Sequence, residues 1–462
     1  MKKYAPQIFR AYDVRGVYGS ELTDDAAYGV GRAYGTFLGE GKSACVGRDV
    51  RASGSALCRA LINGLLDTGV DVVDVGIVPT PILHFAVLHC HLDGGVMVTA
   101  SHNPPEWNGF KFSGAGASRL CEEENLKEVA ALFADRRFST PKHHGSLSRA
   151  HVIDEYAGHV AGKVKLQRKL KVVLDLGNGA WCGIAGRIFT RAGFGVSEIN
   201  GDPNGDFPGR GPDPTDQVLV SLKSEVVSRG ADFGAAFDGD GDRVSFIDDL
   251  GRYVGADGLG VGSVILPIFA AHYLKMHPGG KVVLDIATSS KVEEIVRSLG
   301  GIPVLSRVGY PNILRSIMKE SAIFGGEYSS HFFLPENEHQ DDGCFAALKL
   351  AAILSEQNLR LSELTDTVPK LPNVPETDIP CPDEIKFSVV DSLNQRFLDA
   401  RLHTSLIDGV KAIAPDGWVL VRPSNTQPLI RICAEGTTRA AAERLFTLAK
   451  SSILDAINEK NA

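Results

Sequence analysis

The sequence predicts an α/β protein made of three related units followed by a smaller α+β segment. Three observations lead there. The pentapeptide Lys171-Val172-Val173-Leu174-Asp175 recurs letter for letter as Lys281-Val282-Val283-Leu284-Asp285. Each copy is a β-branched run ending in an acidic turn, followed by a helical stretch, a glycine and a further apolar run, which is the pattern of a βαβ unit. Downstream of each lies another apolar strand that ends in a polar, glycine-containing loop.

The units follow in order. The first is the faintest copy: Cys45-Val46-Gly47-Arg48-Asp49 leads into a helix over 55–67, then Gly69 and a strand over 70–75. Its last strand runs into Met97-Val98-Thr99-Ala100-Ser101-His102-Asn103-Pro104. In the second unit a helix over 182–192 follows the pentapeptide, and the last strand runs through Ala235-Ala236-Phe237 into Asp238-Gly239-Asp240-Gly241-Asp242-Arg243. In the third the helix spans 290–299, and the last strand enters Gly325-Gly326-Glu327-Tyr328-Ser329-Ser330-His331. Ligands of open α/β sheets bind beyond the carboxyl ends of strands, so the three loops are read as facing one cleft, the alternative being three unrelated surface turns. The segment 368–382 holds five prolines and reads as a linker or inter-domain crossing. Beyond it, strands at 418–422 and 429–434 and a helix over 438–450 make a small α+β domain. The expected domains are 1–146, 147–250, 251–367 and 368–462.

Composition narrows the class. At roughly 150 residues per domain, 462 residues suggest about three domains. The 44% apolar and 23% charged content is that of an ordinary globular chain and excludes disorder, collagen-like repeats and a disulfide mini-scaffold. With 48 Lys and Arg against 56 Asp and Glu, the net charge of −8 argues against a broad nucleic-acid or membrane footprint, while leaving room for a local basic pocket. The start, Met1-Lys2-Lys3-Tyr4-Ala5-Pro6, lacks the apolar core of a signal peptide. The most lipid-like stretch, 261–274, contains Pro267 and His272 and falls short of the ~20 residues that span a bilayer. Eight scattered cysteines without a C-x-x-C pair read as reduced, mostly buried thiols, and a cytoplasmic protein is expected. Gly29-Val30-Gly31 followed by Gly35 does not satisfy the dinucleotide fingerprint.

Four loops carry the chemistry. Asp238, Asp240 and Asp242 alternate with glycines; unpaired, their carboxylates would repel one another, and a hard divalent cation bound through oxygen resolves that. An EF-hand is excluded because Arg243 and Asp249 stand where that loop needs Gly and Glu; the remaining alternative is a surface Asp-Gly hairpin. Ser101 is stiffened on its exit side by Pro104 and Pro105. The chain has no G-x-S-x-G elbow, and Ser101 and His102, being adjacent, are not expected to form a nucleophile–base hydrogen bond. A serine beside a metal-binding trio suggests phosphoryl chemistry, against the plain reading of a turn or capping serine. Glu327, Ser329 and His331 alternate, so on an extended loop they share a side and suit the hydroxyls of a sugar; a polar hairpin would look the same. Arg422-Pro423-Ser424-Asn425-Thr426 combines a guanidinium fork, hydroxyls and backbone N–H groups suited to a phosphate dianion, the alternative being a capped solvent turn. Arg10 and Arg15 add positive charge near the start.

In this order and spacing, the four loops resemble those of the α-D-phosphohexomutase family, most closely its phosphomannomutase/phosphoglucomutase branch, over nearly the whole chain. The resemblance implies three related α/β/α domains with mixed sheets and a smaller C-terminal α+β domain around one central cleft. It implies a mutase that interconverts hexose 1-phosphate and hexose 6-phosphate, of mannose or glucose, through a phosphorylated Ser101 and a hexose 1,6-bisphosphate that also serves as activator. Mg²⁺ would be held by Asp238, Asp240, Asp242 and the phosphorylated Ser101, with Arg243 beside it. Arg15 and Lys111 match positions beside the transferring phosphate, Lys111 being the candidate general acid/base, and His102 matches a position near Ser101. Tyr12, Glu327, Ser329 and His331 would meet the sugar; Arg422, Ser424, Asn425 and Thr426 would meet the other phosphate. Sugar phosphates are the implied partners, without nucleic acid or membrane, for a monomer or weak homodimer.

The chain departs from that branch in reading Gly-Glu-Tyr-Ser-Ser-His where Gly-Glu-Met-Ser-Gly-His is usual, and in having Gln427, Tyr310 and Ala287 for the usual Glu, His and Lys. These departures bear on the choice of sugar, not on the reaction type. Two rivals are a phosphoglucosamine mutase, which activity on glucosamine phosphate would identify, and a non-catalytic sugar-phosphate binder, which has no need of Ser101.

Overall fold

The computed structural model describes residues 6–121, 125–255, 259–424 and 428–461. The chain divides into two compact units, Met1–Tyr253 with His331–Ser362, and Val254–Ser330 with Glu363–Ala462.

The first unit holds two sheets. One has six strands in the order Val14–Val17, Trp107–Gly114, Gly94–Val98, Ser43–Arg48, Asp71–Ile77 and Leu147–Arg149. Ser43–Arg48 is parallel to both neighbours, and Trp107–Gly114 returns antiparallel beside Gly94–Val98. Every residue of Gly94–Val98 is buried, as expected of a strand covered on both faces. Leu147–Arg149, just past the expected break at 146, pairs with Asp71–Ile77 and so belongs to this sheet. The expected helix over 55–67 forms as Gly54–Leu66 and packs against Asp24–Leu38. Their contact explains the glycine run that failed as a dinucleotide fingerprint: a Cβ on Gly31 would stand 2.2 Å from Leu61 O, and one on Gly64 2.3 Å from Tyr28 O. Those glycines let two helix backbones touch.

The second sheet runs Val244–Asp248, Phe233–Phe237, Lys171–Asp175, Gly195–Ile199. Lys171–Asp175 is parallel to both its neighbours, while Val244–Asp248 returns antiparallel, so residues 238–243 form a hairpin loop. The expected helix over 182–192 is shorter, Ala185–Arg191. Helix Gly343–Gln357 covers the hairpin strands and is capped by Asp342, whose side chain accepts from Phe345 N.

The second unit also holds two sheets. Lys281–Asp285 lies between Ile302–Ser306 and Phe324–Gly326, all parallel. In the three α/β sheets the repeat strand therefore occupies the same place, flanked by the strand that follows its helix and by the strand that feeds the polar loop. The letter-for-letter repeat is a repeat of topology. The fourth sheet is antiparallel, in the order Asn373–Pro380, Leu429–Gly436, Gly417–Pro423, Val410–Ala414, His403–Ser405, with helices Asp383–Asp399 and Arg439–Asn461 closing its core. Of the two readings of 368–382, the linker is corrected: Asn373–Pro380 is an edge strand, where a proline withholds no needed donor, and its pairing shifts register between Val374 and Thr377, around Pro375. Ile286, Ala287, Trp418 and Leu420 form one apolar cluster between the two sheets of this unit. Lys411 Nζ lies 4.0 Å from the Trp418 ring centre and donates to Ile286 O at 2.8 Å.

The lipid-like stretch is helix Val261–Met276, buried along most of its length with Pro267 inside it. Among the described residues no helix is long and apolar enough to cross a membrane. All eight cysteines are free thiols; Cys45, Cys58, Cys121, Cys344 and Cys381 are buried, and Cys90, Cys182 and Cys433 half-buried.

Candidate active site

Ser101 stands three residues beyond the buried strand Gly94–Val98 and has φ of +52°, in the left-handed region that non-glycine residues seldom adopt. Such a conformation costs about 1–3 kcal/mol and persists only where its surroundings hold it. Here they do. Ser101 N donates to Thr99 Oγ1 at 2.8 Å, and Thr99 in turn donates to Asp49 Oδ2 at 2.7 Å. Arg51, buried and paired with Asp49 at 3.1 Å, donates to four carbonyls along the loop: Ser101 at 2.8 Å, Asn103 at 2.7 Å, Pro104 at 2.6 Å and Trp107 at 3.0 Å. Neither Arg51 nor Asp49 was singled out from sequence. Their only signal was an Asp-x-Arg at the end of the first repeat strand.

The left-handed turn overturns one expectation. Neighbours on a strand point to opposite faces, but the turn breaks the alternation and brings Ser101 Oγ within 3.3 Å of His102 Nδ1. The same hydroxyl donates to Asp238 Oδ2 at 3.0 Å and accepts from Arg243 Nη2 at 3.2 Å. Arg243 also reaches His102 Nδ1, and its Nε lies 3.3 Å from Asp238 Oδ2. Arg15 donates to Asn103 Oδ1 at 2.9 Å and is aimed by Asp13 at 2.7 Å. Tyr12 is half-buried in the bend just before it.

The loop 238–243 is a hairpin, but not a surface one: Asp238, Asp240 and Asp242 are buried. Gly241 has φ of +79°, and a Cβ there would stand 2.1 Å from Trp181 Nε1, which donates to Gly241 O at 2.9 Å. Thr80, the first residue of helix Thr80–His89, holds the loop by donating through Oγ1 to Asp240 Oδ2 at 2.7 Å. Lys111, cross-strand from Met97, places Nζ 2.7 Å from Asp240 Oδ2 and 2.5 Å from Asp242 Oδ2.

Electrostatics point to a cation. Burial and then the charges of Asp242 and Asp240 push Asp238 well above the usual carboxylate range. Burial and Asp240 raise Asp242. Burial works the same way on Asp240, but Lys111 outweighs it and the carboxyl sits below its ordinary value. The three carboxylates offer ligand oxygens within 4.8 Å of one another, and Asp240 Oδ1 and Asp242 Oδ1 are buried without a hydrogen-bond partner. An all-oxygen set with spare anionic acceptors fits a hard divalent ion. Asp242, His331 and Asp341 form a second close grouping. There the guanidinium of Arg119 already sits 2.6 Å from Asp341.

The expected sugar loop is not extended. Residues 328–330 make a turn, closed by Ser330 N donating to Glu327 O at 3.1 Å, with Ser330 at φ of +69°. Alternation therefore does not put Glu327, Ser329 and His331 on one side. His331 belongs to the first unit, where Nδ1 faces Asp341 at 3.3 Å and Asp242 at 3.9 Å. Glu327 and Ser329 belong to the second unit. Glu327 is buried and accepts from Gly309 N at 2.5 Å, beside buried Tyr310.

In the C-terminal domain, Arg422 lies at the end of Gly417–Pro423 and donates to Glu376 Oε2 at 2.7 Å, while Arg431, directly across the ladder, meets Glu376 Oε1 at the same distance. Ser424 is buried and its carbonyl accepts from Lys386 Nζ at 2.6 Å. Asn425 and Thr426, with Gln427, lie outside the described residues.

Four family descriptions match in chain order: "Phosphoglucomutase/phosphomannomutase, alpha/beta/alpha domain I" over residues 6–139, domain II over 154–251, domain III over 262–371 and the C-terminal domain over 376–448. The chain is 37% identical to a phosphomannomutase/phosphoglucomutase of Pseudomonas syringae pv. tomato, covering 95% of this chain and 93% of that protein. It is 35% identical to a probable phosphoglucosamine mutase of Methanopyrus kandleri, covering 95% of each. A crystal structure of a phosphoglucomutase/phosphomannomutase family protein from Burkholderia thailandensis superposes with a TM-score of 0.87 at 32% identity, covering 98% of each chain.

Proposed function

Because the chain belongs to the phosphoglucomutase/phosphomannomutase family, we propose that it interconverts hexose 1-phosphate and hexose 6-phosphate by way of a phosphorylated Ser101. The observation that carries this reading is Ser101 Oγ itself, 3.0 Å from a carboxylate of a buried acidic trio and 3.2 Å from Arg243.

In the forward half-reaction the phosphorus–Oγ bond of phosphorylated Ser101 breaks as a hydroxyl oxygen of the sugar monophosphate bonds to phosphorus, giving a 1,6-bisphosphate. In the second half, Ser101 Oγ takes back the other phosphoryl group. Arg243 and Arg15 line the loop that carries this group, and their charges oppose the negative charge on its oxygens. Asp238, Asp240 and Asp242 would hold Mg²⁺, which when bound neutralises charge on the transferring group. Lys111 is the candidate for moving the sugar hydroxyl's proton, and His102 sits against the serine oxygen. Glu327, Ser329, His331 and Tyr12 orient the sugar; Arg422, Ser424, Asn425 and Thr426 take the phosphate that is not being transferred. A turnover of about 10 s⁻¹ corresponds to a barrier near ~16 kcal/mol, so positioning and charge must supply most of the acceleration over uncatalysed hydrolysis.

A coupled mutase assay with Mg²⁺ and trace glucose 1,6-bisphosphate tests this, comparing mannose 1-phosphate, glucose 1-phosphate and glucosamine 1-phosphate. The amino sugar is included because of the relative from Methanopyrus kandleri. Turnover of mannose or glucose 1-phosphate that collapses in Ser101→Ala is the expected result. Turnover of none, with Ser101 carrying no phosphate, would sink the reading.

A further inference from the structure

A buried polar chain runs behind His331. Arg119 Nη2 lies 2.6 Å from Asp341 Oδ1, 2.8 Å from Gln340 Oε1 and 2.7 Å from His84 Nδ1, and Nη1 donates to Ala117 O. The other oxygen of Asp341, Oδ2, stands 3.3 Å from His331 Nδ1, at ion-pair distance but outside hydrogen-bond alignment, so a small turn of the ring would join the two. Asp341 is fully buried, and His84, Arg119, His331 and Gln340 are each at most 7% exposed. Beyond His331 comes Asp242 of the acidic trio. The hydrogen bonds that Arg119 makes leave little rotational freedom to Asp341, Gln340 and His84.

We propose that Asp341, itself clamped by Arg119, is a positioning residue for His331: the carboxylate fixes the ring plane and keeps the proton on Nδ1, so that Nε2 is the nitrogen presented to the ligand. This rests on the reading that His331 meets the sugar phosphate. The logic is that of a carboxylate behind a functional histidine, which selects tautomer and orientation without itself touching substrate. The supporting electrostatics agree. Burial acts to raise Asp341, but Arg119 and then His331 hold it well below the ordinary carboxylate range, so it is an anion at any working pH. Burial, then the charge of Arg119, drive His84 far below its usual range, so His84 is neutral and accepts from the guanidinium.

The test compares the full-length protein with Asp341→Asn, His331→Ala and the double variant in the mutase assay. Asp341→Asn should lower kcat by about 10-fold or more with KM little changed, and should add nothing in the His331→Ala background, because both remove the same function. Independent effects that multiply, or a full-rate Asp341→Asn, would overturn the proposal. If Asp341→Asn does not fold because Arg119 is left uncompensated, Asp341→Asn with Arg119→Gln removes both charges and must show the same kcat loss. Long-range ¹H–¹⁵N spectra of histidine-labelled resting protein give a reading that needs no activity. His331, identified by its loss in His331→Ala, should carry its proton on Nδ1 and lose that preference in Asp341→Asn. A mixed tautomer in the parent protein refutes the relay. The expected tautomer without mutase activity on any sugar phosphate would leave the relay standing and remove the proposed function instead.

Discussion

Replacing Arg51 by methionine removes the donor that four loop carbonyls and Asp49 share. Methionine fills much of the same volume, so the experiment reads lost polar pairing rather than a cavity. Leaving a buried acceptor unsatisfied costs about 1–3 kcal/mol each, and orphaning one member of a buried ion pair about 3–5 kcal/mol. Water entering the loop will recover part of the carbonyl cost, so the loss is set near the ion-pair figure, about 4 kcal/mol. That is a large share of the ~5–15 kcal/mol that holds a typical domain. Equilibrium unfolding in urea measures it. Asp49→Asn added to Arg51→Met should restore about half, since the uncompensated carboxylate is then gone. The loop should also lose its left-handed serine, so mutase activity falls in both variants. An Arg51→Met protein within 1 kcal/mol of the parent, or a double variant no more stable than the single, would refute the account.

Two further outcomes are expected. Gly241→Ala meets both a positive φ and the Trp181 ring nitrogen 2.1 Å away, and should cost about 2–4 kcal/mol while weakening Mg²⁺ binding in titration calorimetry; an unchanged urea midpoint would show that the loop path has slack. Asp342 is raised by burial from the ordinary 3.8 to about 6, so the folded chain holds this proton more tightly than the unfolded chain. Its contribution to stability is therefore full below about pH 4 and lost as pH rises through about 6, about 3 kcal/mol in all. Asp342→Asn should gain on the parent by about that amount between pH 4 and pH 7 in urea unfolding, and a pH-independent difference would contradict the sign.

The strands and the polar loops that follow three of them were legible because each is local. A β-branched run bounded by turn residues announces a strand whatever surrounds it, and the recurrence of Lys-Val-Val-Leu-Asp at 171–175 and 281–285 announced two related βαβ units. Alternating Asp and Gly in 238–242, and a serine stiffened by Pro104 and Pro105, carry their chemistry in their own spacing. Where local pattern was pressed further it failed. Alternation at 327–331 presumed an extended backbone, but a turn closes there; adjacency at Ser101 and His102 presumed strand geometry, but a left-handed residue intervenes; and proline density at 368–382 hid an edge strand that only its partner Leu429–Gly436 reveals.

What tertiary structure alone decided is which groups leave water together. Ser101 reaches Asp238 across 137 positions of sequence, Thr80 reaches Asp240 across 160, and Arg119 reaches Asp341 across 222. None of these pairs has a local signature, because the partner that compensates a buried charge is chosen by chain path and not by neighbours. The sequence by itself determined the strands, the loops and the kind of chemistry their side chains can do. Burial settled the rest: it gathered a run of aspartates into a buried acidic cluster, made Arg51 the brace of the serine loop, and set Asp341 behind His331, since a charge removed from water must find its counter-charge wherever the fold has brought one.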